Sequence, residues 1–326
     1  MKRIKIIIVV LAFFLVIGDG ALCIGQLHEF DLSESLILKT DFMPAGLGKD
    51  DIPAILEPKF LDPSRADFLS DEDLVIGLAN GRSTKAYPID ILTWHEVVND
   101  TLGDKSVAVT WCPLTRSAVV FNRKIEGELL TFGVSGLLYN NNLVMYDKQS
   151  NALWPQLMEG AATGIFSGRK LSVIPSVVTT WGEWKKEHPQ TMVLSRDTGF
   201  LRDYTSDPYA DYIQNSRVIF PLPREDKRLQ AKEFIIGVTV GEDVKAYPLE
   251  ALRNSGGLIE DVIRGEKIIV KQGPAETAFV TDAEGKLIPA TRMYWFAWSV
   301  FNPQTMIFEV QGTSTEKKKT STQEIP

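Results

Sequence analysis

The sequence predicts an α+β protein, predominantly antiparallel β (sheet or barrel-like) with a few short helices, built from two internally related units. Three observations carry this. From residue 74 onward the chain breaks into short apolar runs separated by Gly, Asn and Asp turn signals. Helical spacing appears only in brief stretches, one opened by Pro88 and one closed by His188-Pro189. The chain also repeats itself. Val75-Ile76-Gly77-Leu78 with Lys85-Ala86-Tyr87-Pro88 returns 160 positions on as Ile235-Ile236-Gly237-Val238 with Lys245-Ala246-Tyr247-Pro248. Trp181 and Trp184 with Pro189-Gln190-Thr191-Met192 return only 114 positions on, as Trp295 and Trp298 with Pro303-Gln304-Thr305-Met306. The second unit is therefore the shorter, lacking roughly 138–178, and a period this long reads as a duplication inside one globule.

Taken in order, residues 1–25 form a leader. Lys2, Arg3 and Lys5 precede an unbroken apolar run over 6–17, followed by small residues, the pattern of an export signal. That run is short for a bilayer span. The protein is thus expected to be exported, periplasmic or extracellular, reaching a membrane only through an uncleaved leader or a lipid anchor at Cys23. Residues 26–73, dense in Gly, Pro and acids, make an ordered arm or lid.

The first unit, 74–217, opens with a hairpin across Asn80-Gly81. A helix then starts at Pro88, buries Ile91, Leu92, His95 and Val98 on one face, and stops near Asn99-Asp100. Strands follow at 107–112, 118–123, 129–134, 143–147, 162–166 and 171–174, then a helix at 180–187 and a strand at 191–194. A long polar and aromatic connection leads into the second unit, 218–310, and the polar tail 311–326 reads as disordered.

Hydrophobic content of 44%, charged content of 24% and a net charge of −7 describe a soluble globular chain with no basic stripe, which excludes nucleic acid as a partner. There is no Gly-x-Gly-x-x-Gly turn, no phosphate loop and no Gly-x-Ser-x-Gly elbow. After leader removal one thiol remains, Cys112, in a compartment that favours disulfides. It ends a strand, and Pro113 cannot extend the ladder, so the thiol sits at a sheet rim. The second unit keeps the Lys-Ala-Tyr-Pro frame and both tryptophans. It has Ser255 where the first has His95, and Gln272 or Gly273 where the first has Cys112. Cys112 and His95 are accordingly the candidate catalytic pair, nucleophile and base, and equally the candidate metal ligands for copper or zinc. A third ligand would have to come from His188, Met145 or an Asp. Arg116 is the alternative positive neighbour for a thiolate. Asp50 and Asp51 in the arm, Arg123, and Asn141, Asn142 and Asp147 at strand ends are candidate ligand-binding groups. Their alternatives are turn capping and an Arg123–Asp147 pair.

These stretches resemble the domain-of-unknown-function 3179 proteins. The likeness runs over about 45–308 and rests on Gly48-Lys49-Asp50-Asp51-Ile52-Pro53, on 85–100, on Val109-Thr110-Trp111-Cys112-Pro113-Leu114, on 130–136, on 142–147 and on Trp181, Trp184 and His188-Pro189. The resemblance implies an exported bacterial or archaeal protein without an agreed activity. Many members carry Cys-Pro-Leu-Cys-Gly-Thr at the corner, where this chain has Thr115 and Arg116 in place of the second cysteine and the glycine. That departure tells against a dithiol redox role and a two-cysteine metal site. Three functions stay open: a ligand- or metal-binding module around Cys112 and His95, a thiol-dependent enzyme, and a structural surface protein.

Overall fold

The computed structural model describes residues 27–310; the expected leader and tail lie outside the described residues. Strands dominate, and the five helices are short: Ile89–His95, Trp181–Glu187, Ala210–Gln214, Leu249–Asn254 and Trp295–Phe301. Five sheets of three to five strands, almost wholly antiparallel, give an arrangement that resembles a five-bladed β-propeller. None of the described helices is long and apolar enough to cross a membrane.

The hairpin Leu74–Asn80 with Ser83–Pro88 forms where Asn80-Gly81 predicts it. Gly81 takes the left-handed turn, with φ +59°. The strand Val177–Thr180 flanks it on one side and Met192–Leu194 joins the other side in parallel. An analogous sheet places Ala290–Tyr294 and Met306–Ile307 beside the hairpin Phe234–Val240 with Asp243–Pro248. Lys85 Nζ and Tyr87 Oη both reach an Asp100 carboxylate oxygen at 2.7 Å. Lys245 Nζ and Tyr247 Oη meet Asp261 in the same way, at 2.5 and 2.8 Å. The Lys-Ala-Tyr-Pro frame is thus a structural clamp between a hairpin and the sheet after it.

The tryptophans are core staples. Trp184 lies flat on Gly77 and Trp298 on Gly237. At either glycine an added Cβ would stand 2.3 Å from the indole. Each indole N–H donates to a threonine two residues past the proline that follows the helix: Trp184 to Thr191 at 2.9 Å and Trp298 to Thr305 at 2.8 Å.

Four expectations change. The first helix ends at His95, and residues 97–102 form a strand paired with Lys105–Cys112. The β-branched pair Val97-Val98 enters that ladder instead of prolonging the helical face. The stretch 129–134 divides between the strands Glu128–Leu129 and Phe132–Tyr139. Residues 162–166 and 171–174 form no strand; they close turns around isolated bridges such as Gly160 with Lys170 and Phe121 with Val173. Their apolar side chains Phe166, Leu171 and Ile174 still enter the core.

Gly77→Ala and Gly237→Ala should each lower stability by about 1–3 kcal/mol or more, because the indole above has no room to retreat. Thr305→Val, which removes the acceptor of the Trp298 indole N–H and the hydroxyl's own bond to Met306 O, should cost about 1 kcal/mol. Urea unfolding of the three variants checks the order.

Candidate functional site

The site grows from one tight hairpin. Lys105–Cys112 runs outward, the chain turns through 113–116, and Ser117–Asn122 returns with Ser117 paired to Cys112. The turn is gripped from three sides. Tyr294 N–H donates to Thr115 O at 3.0 Å, and Tyr212 Oη donates to Leu114 O at 2.7 Å. Gln156 holds the base from below, accepting from Ser117 Oγ at 2.7 Å and from Asn142 Nδ2 at 2.8 Å while donating to Thr110 Oγ1 at 2.7 Å. Every member of this network is buried, as is Thr115, whose hydroxyl meets Ser117 Oγ at 2.8 Å.

Beside the hairpin stands Glu96. Trp111 N–H donates to Glu96 O at 2.8 Å, which places Glu96 next to the strand that ends in Cys112. The residue is 7% exposed, and no hydrogen bond or ion pair reaches its carboxyl among the described residues. Burial raises that carboxyl to about 8, so it keeps its proton at neutral pH. Its backbone has φ +57° and ψ −30°, a conformation disfavoured for any residue with a Cβ. Arg116, in the turn itself, is also left-handed at φ +55°. Both residues bear ionisable side chains and hold this conformation within one cluster.

Cys112 is 2% exposed, with Sγ 3.9 Å from Asn141 O. Burial, and then the neighbouring Glu96, push the thiol upward, against the depressed value a nucleophile needs. Tyr209 is pushed well up by burial first, then by Glu96 and Cys112, which puts its phenol in the same cluster. Arg116 lies over the Trp111 ring at 5.0 Å, its Nε buried without an acceptor.

The remaining predicted residues fall as follows. His95 is fully buried and bonded at both ring nitrogens: Nδ1 to Pro53 O and Nε2 to Tyr204 Oη, each at 2.7 Å. A carbonyl can only accept, so Nδ1 carries the proton and Nε2 accepts from the tyrosine. Burial lowers the imidazole to about 4. With both nitrogens committed, His95 has no lone pair to offer Cys112 or a metal, and it serves to pin the arm at Pro53 to the connection at Tyr204. Asn141 caps the site, its side chain exchanging hydrogen bonds with the backbone of Phe220 at 3.0 Å. Asn142 belongs to the Gln156 network. Asp50 accepts from Tyr146 Oη at 2.5 Å, and Asp51 caps Gly48 N at 2.7 Å. Arg123 and Asp147 do not pair. Arg123 donates to the Leu130 and Asp100 carbonyls, whereas Asp147 holds Ser150 and the Trp154 indole N–H. His188 stacks on Trp184 and Met145 is core. Among the described residues no three His, Cys, Asp or Glu side chains group to hold a metal ion, so the donor set for copper or zinc does not assemble.

Sequence reasoning missed Glu96, Tyr209, Tyr212 and Gln156. One signal for Glu96 was present: an acid set between His95 and the apolar pair Val97-Val98, directly after a histidine expected to face inward.

The small sheets around a central packed region define a mostly-β protein with its candidate site at a hairpin rim. The chain belongs to the family described as Protein of unknown function (DUF3179), whose model matches residues 49–305. No curated protein and no solved structure matches it.

Glu96 and His95 set opposite pH dependences. The raised Glu96 carboxyl contributes stability that is fully present below 4.5 and is lost as pH rises through about 8. The depressed His95 imidazole contributes stability that is present above 6.5 and is lost as pH falls toward about 4. Relative to wild type, Glu96→Gln should be near neutral at pH 4 and more stable by on the order of several kcal/mol at pH 8.5. Urea titrations across that range check this; a difference independent of pH would refute the buried neutral acid.

Proposed function

We propose that this is an exported ligand-binding protein of two related units, the first enlarged, that takes a small polar molecule at the rim of the hairpin 112–117. The single observation that carries this reading is Glu96: a buried carboxyl without a partner, on strained backbone, beside an equally buried thiol. The carboxyl has no protein partner, keeps a slight opening to solvent and sits on left-handed backbone that costs about 1–2 kcal/mol, an arrangement that points to a role in binding. The neutral carboxyl would donate one hydrogen bond, Arg116 would supply the positive charge, and Cys112 would form an uncharged wall. An acceptor-rich ligand such as a small carboxylate suits that set.

The kinship of the units is supported by the repeated clamps and staples, and by the turn after each first helix. Where one unit places Glu96 at positive φ, the other has Gly256 at φ +72°. Glycine is the ordinary occupant of that conformation. The first unit has thus given up the easy residue for an acid.

A second reading, general acid chemistry, is favoured by the same carboxyl, because a value near neutrality is what such a group requires. The nucleophilic-thiol reading has less support, since Cys112 is shifted the wrong way.

The connection that carries Tyr209 and Tyr212 covers the thiol in this reading, Tyr212 being bonded to Leu114 O. Cys112 should react slowly with a thiol reagent in the wild type and at least tenfold faster in Tyr212→Phe, which loses the bond to Leu114. A panel of small mono- and dicarboxylates, followed by thermal shift, should yield a stabilising member whose effect disappears in Glu96→Gln and Arg116→Met. A panel without effect, or an effect both variants retain, would overturn the binding proposal.

A further inference from the structure

A second buried guanidinium lies outside the site just described. Arg292, on the strand Ala290–Tyr294, is only 6% exposed yet forms no salt bridge. Its Nε donates to the Glu276 backbone carbonyl at 2.6 Å, its plane lies 3.5 Å over the Phe234 ring, and its Nη1 is buried with no acceptor. The nearest carboxylate acting on it is that of Glu276, which is half exposed and already paired with Arg253 at 3.1 Å. Its other charged neighbour is Arg116, of like sign; burial and this neighbour together bring Arg292 down to about 9.

Arg292 lines a cavity of about 20 Å³ where four of the five sheets converge, contributing Ala118, Val177, Ile236 and Val280. The other polar wall is Ser176. This volume exceeds the roughly 10–15 Å³ a single water requires, but a water there would seek two to four polar partners and would bring two hydrogens of its own. The charged group on the walls is the Arg292 guanidinium, whose Nη1 has no acceptor, and the remaining side chains but Ser176 are apolar. A monatomic anion needs only such donors, and it would neutralise a buried charge that has no counter-ion.

We propose that this central cavity binds one halide-sized anion, held by Arg292 Nη1 and the hydroxyl of Ser176. Occupancy would also screen Arg292 from Arg116, coupling the cavity to the hairpin rim.

The test uses chloride itself. The wild-type protein is titrated from gluconate into chloride at constant ionic strength, with melting temperature and the chloride nuclear resonance linewidth both followed. Saturable stabilisation and saturable broadening are expected, with broadening displaced by bromide. Arg292→Met should weaken the apparent affinity at least tenfold. Broadening that is absent or does not saturate in the wild type overturns the proposal without recourse to any variant. So does an unchanged response in folded Arg292→Met, or equal stabilisation by acetate or phosphate, which are too large for the cavity.

Discussion

The rim that carries the candidate site depends on one side-chain amide, that of Gln156. It joins the strand Lys105–Cys112 through Thr110, the returning strand through Ser117 and a separate sheet through Asn142. In a buried, low-dielectric setting such bonds are strong when all are made and costly when one is missing, so the network fixes the hairpin against its neighbour as a unit. The turn 273–277 has no such buried amide network and is held from outside only through Glu276, by Arg292 and Arg253. Gly273 N–H and the Thr277 hydroxyl close that turn on its own backbone, and Ala275 and Glu276 lie exposed at its tip. Gln156 and Asn142 both come from the stretch that the shorter unit lacks. The segment that carries Asn142 and Gln156 is therefore what stiffens the rim around Cys112.

That rigidity explains how Glu96 can be kept where it is. Its carbonyl accepts from Trp111 and its amide donates to Leu92 O at 2.7 Å, so the backbone is clamped between helix and strand. His95, one residue earlier, is fixed by Pro53 and Tyr204. Relaxing the left-handed backbone would break contacts on both sides. The surroundings over-determine the conformation, which is the condition under which local strain persists.

The parts of this molecule that were legible in the sequence are those set by neighbours in the chain. Asn80-Gly81 announces its hairpin, Pro113 ends its strand, and Trp184 with Pro189 marks a short helix, because each acts within a few residues. Tandem recurrence of the Lys-Ala-Tyr-Pro stretch separated shared scaffold from residues peculiar to one unit. The parallel additions of Met192–Leu194 and Met306–Ile307 were not legible, since they join strands more than fifty positions away and leave no local periodicity. Residues 162–166 misled because a short apolar run reads alike whether it enters a ladder or plugs a core beside a turn. His95 was correctly placed facing inward, but its partners, a carbonyl in the arm and a tyrosine in the connection, are distant in sequence and belong to no motif. Cys112 drew attention as a lone thiol, while the more informative residue beside it was an ordinary glutamate.

The protonation states at this rim decide what it can attract. A cation site needs deprotonated ligands: thiolate, carboxylate or a free imidazole lone pair. Here burial keeps Cys112 and Glu96 neutral, and hydrogen bonding occupies both nitrogens of His95. Recruiting them to a metal would mean expelling two protons into water and breaking the bonds that hold the arm and the connection. The charge that remains is positive, on Arg116 at the rim and Arg292 in the central cavity, inside a chain whose net charge is −7. An acceptor-rich molecule that shed its hydration would meet N–H and O–H donors already in place and would require no proton to move. The protonation states at the rim are therefore those that the proposed acceptor-rich ligand requires.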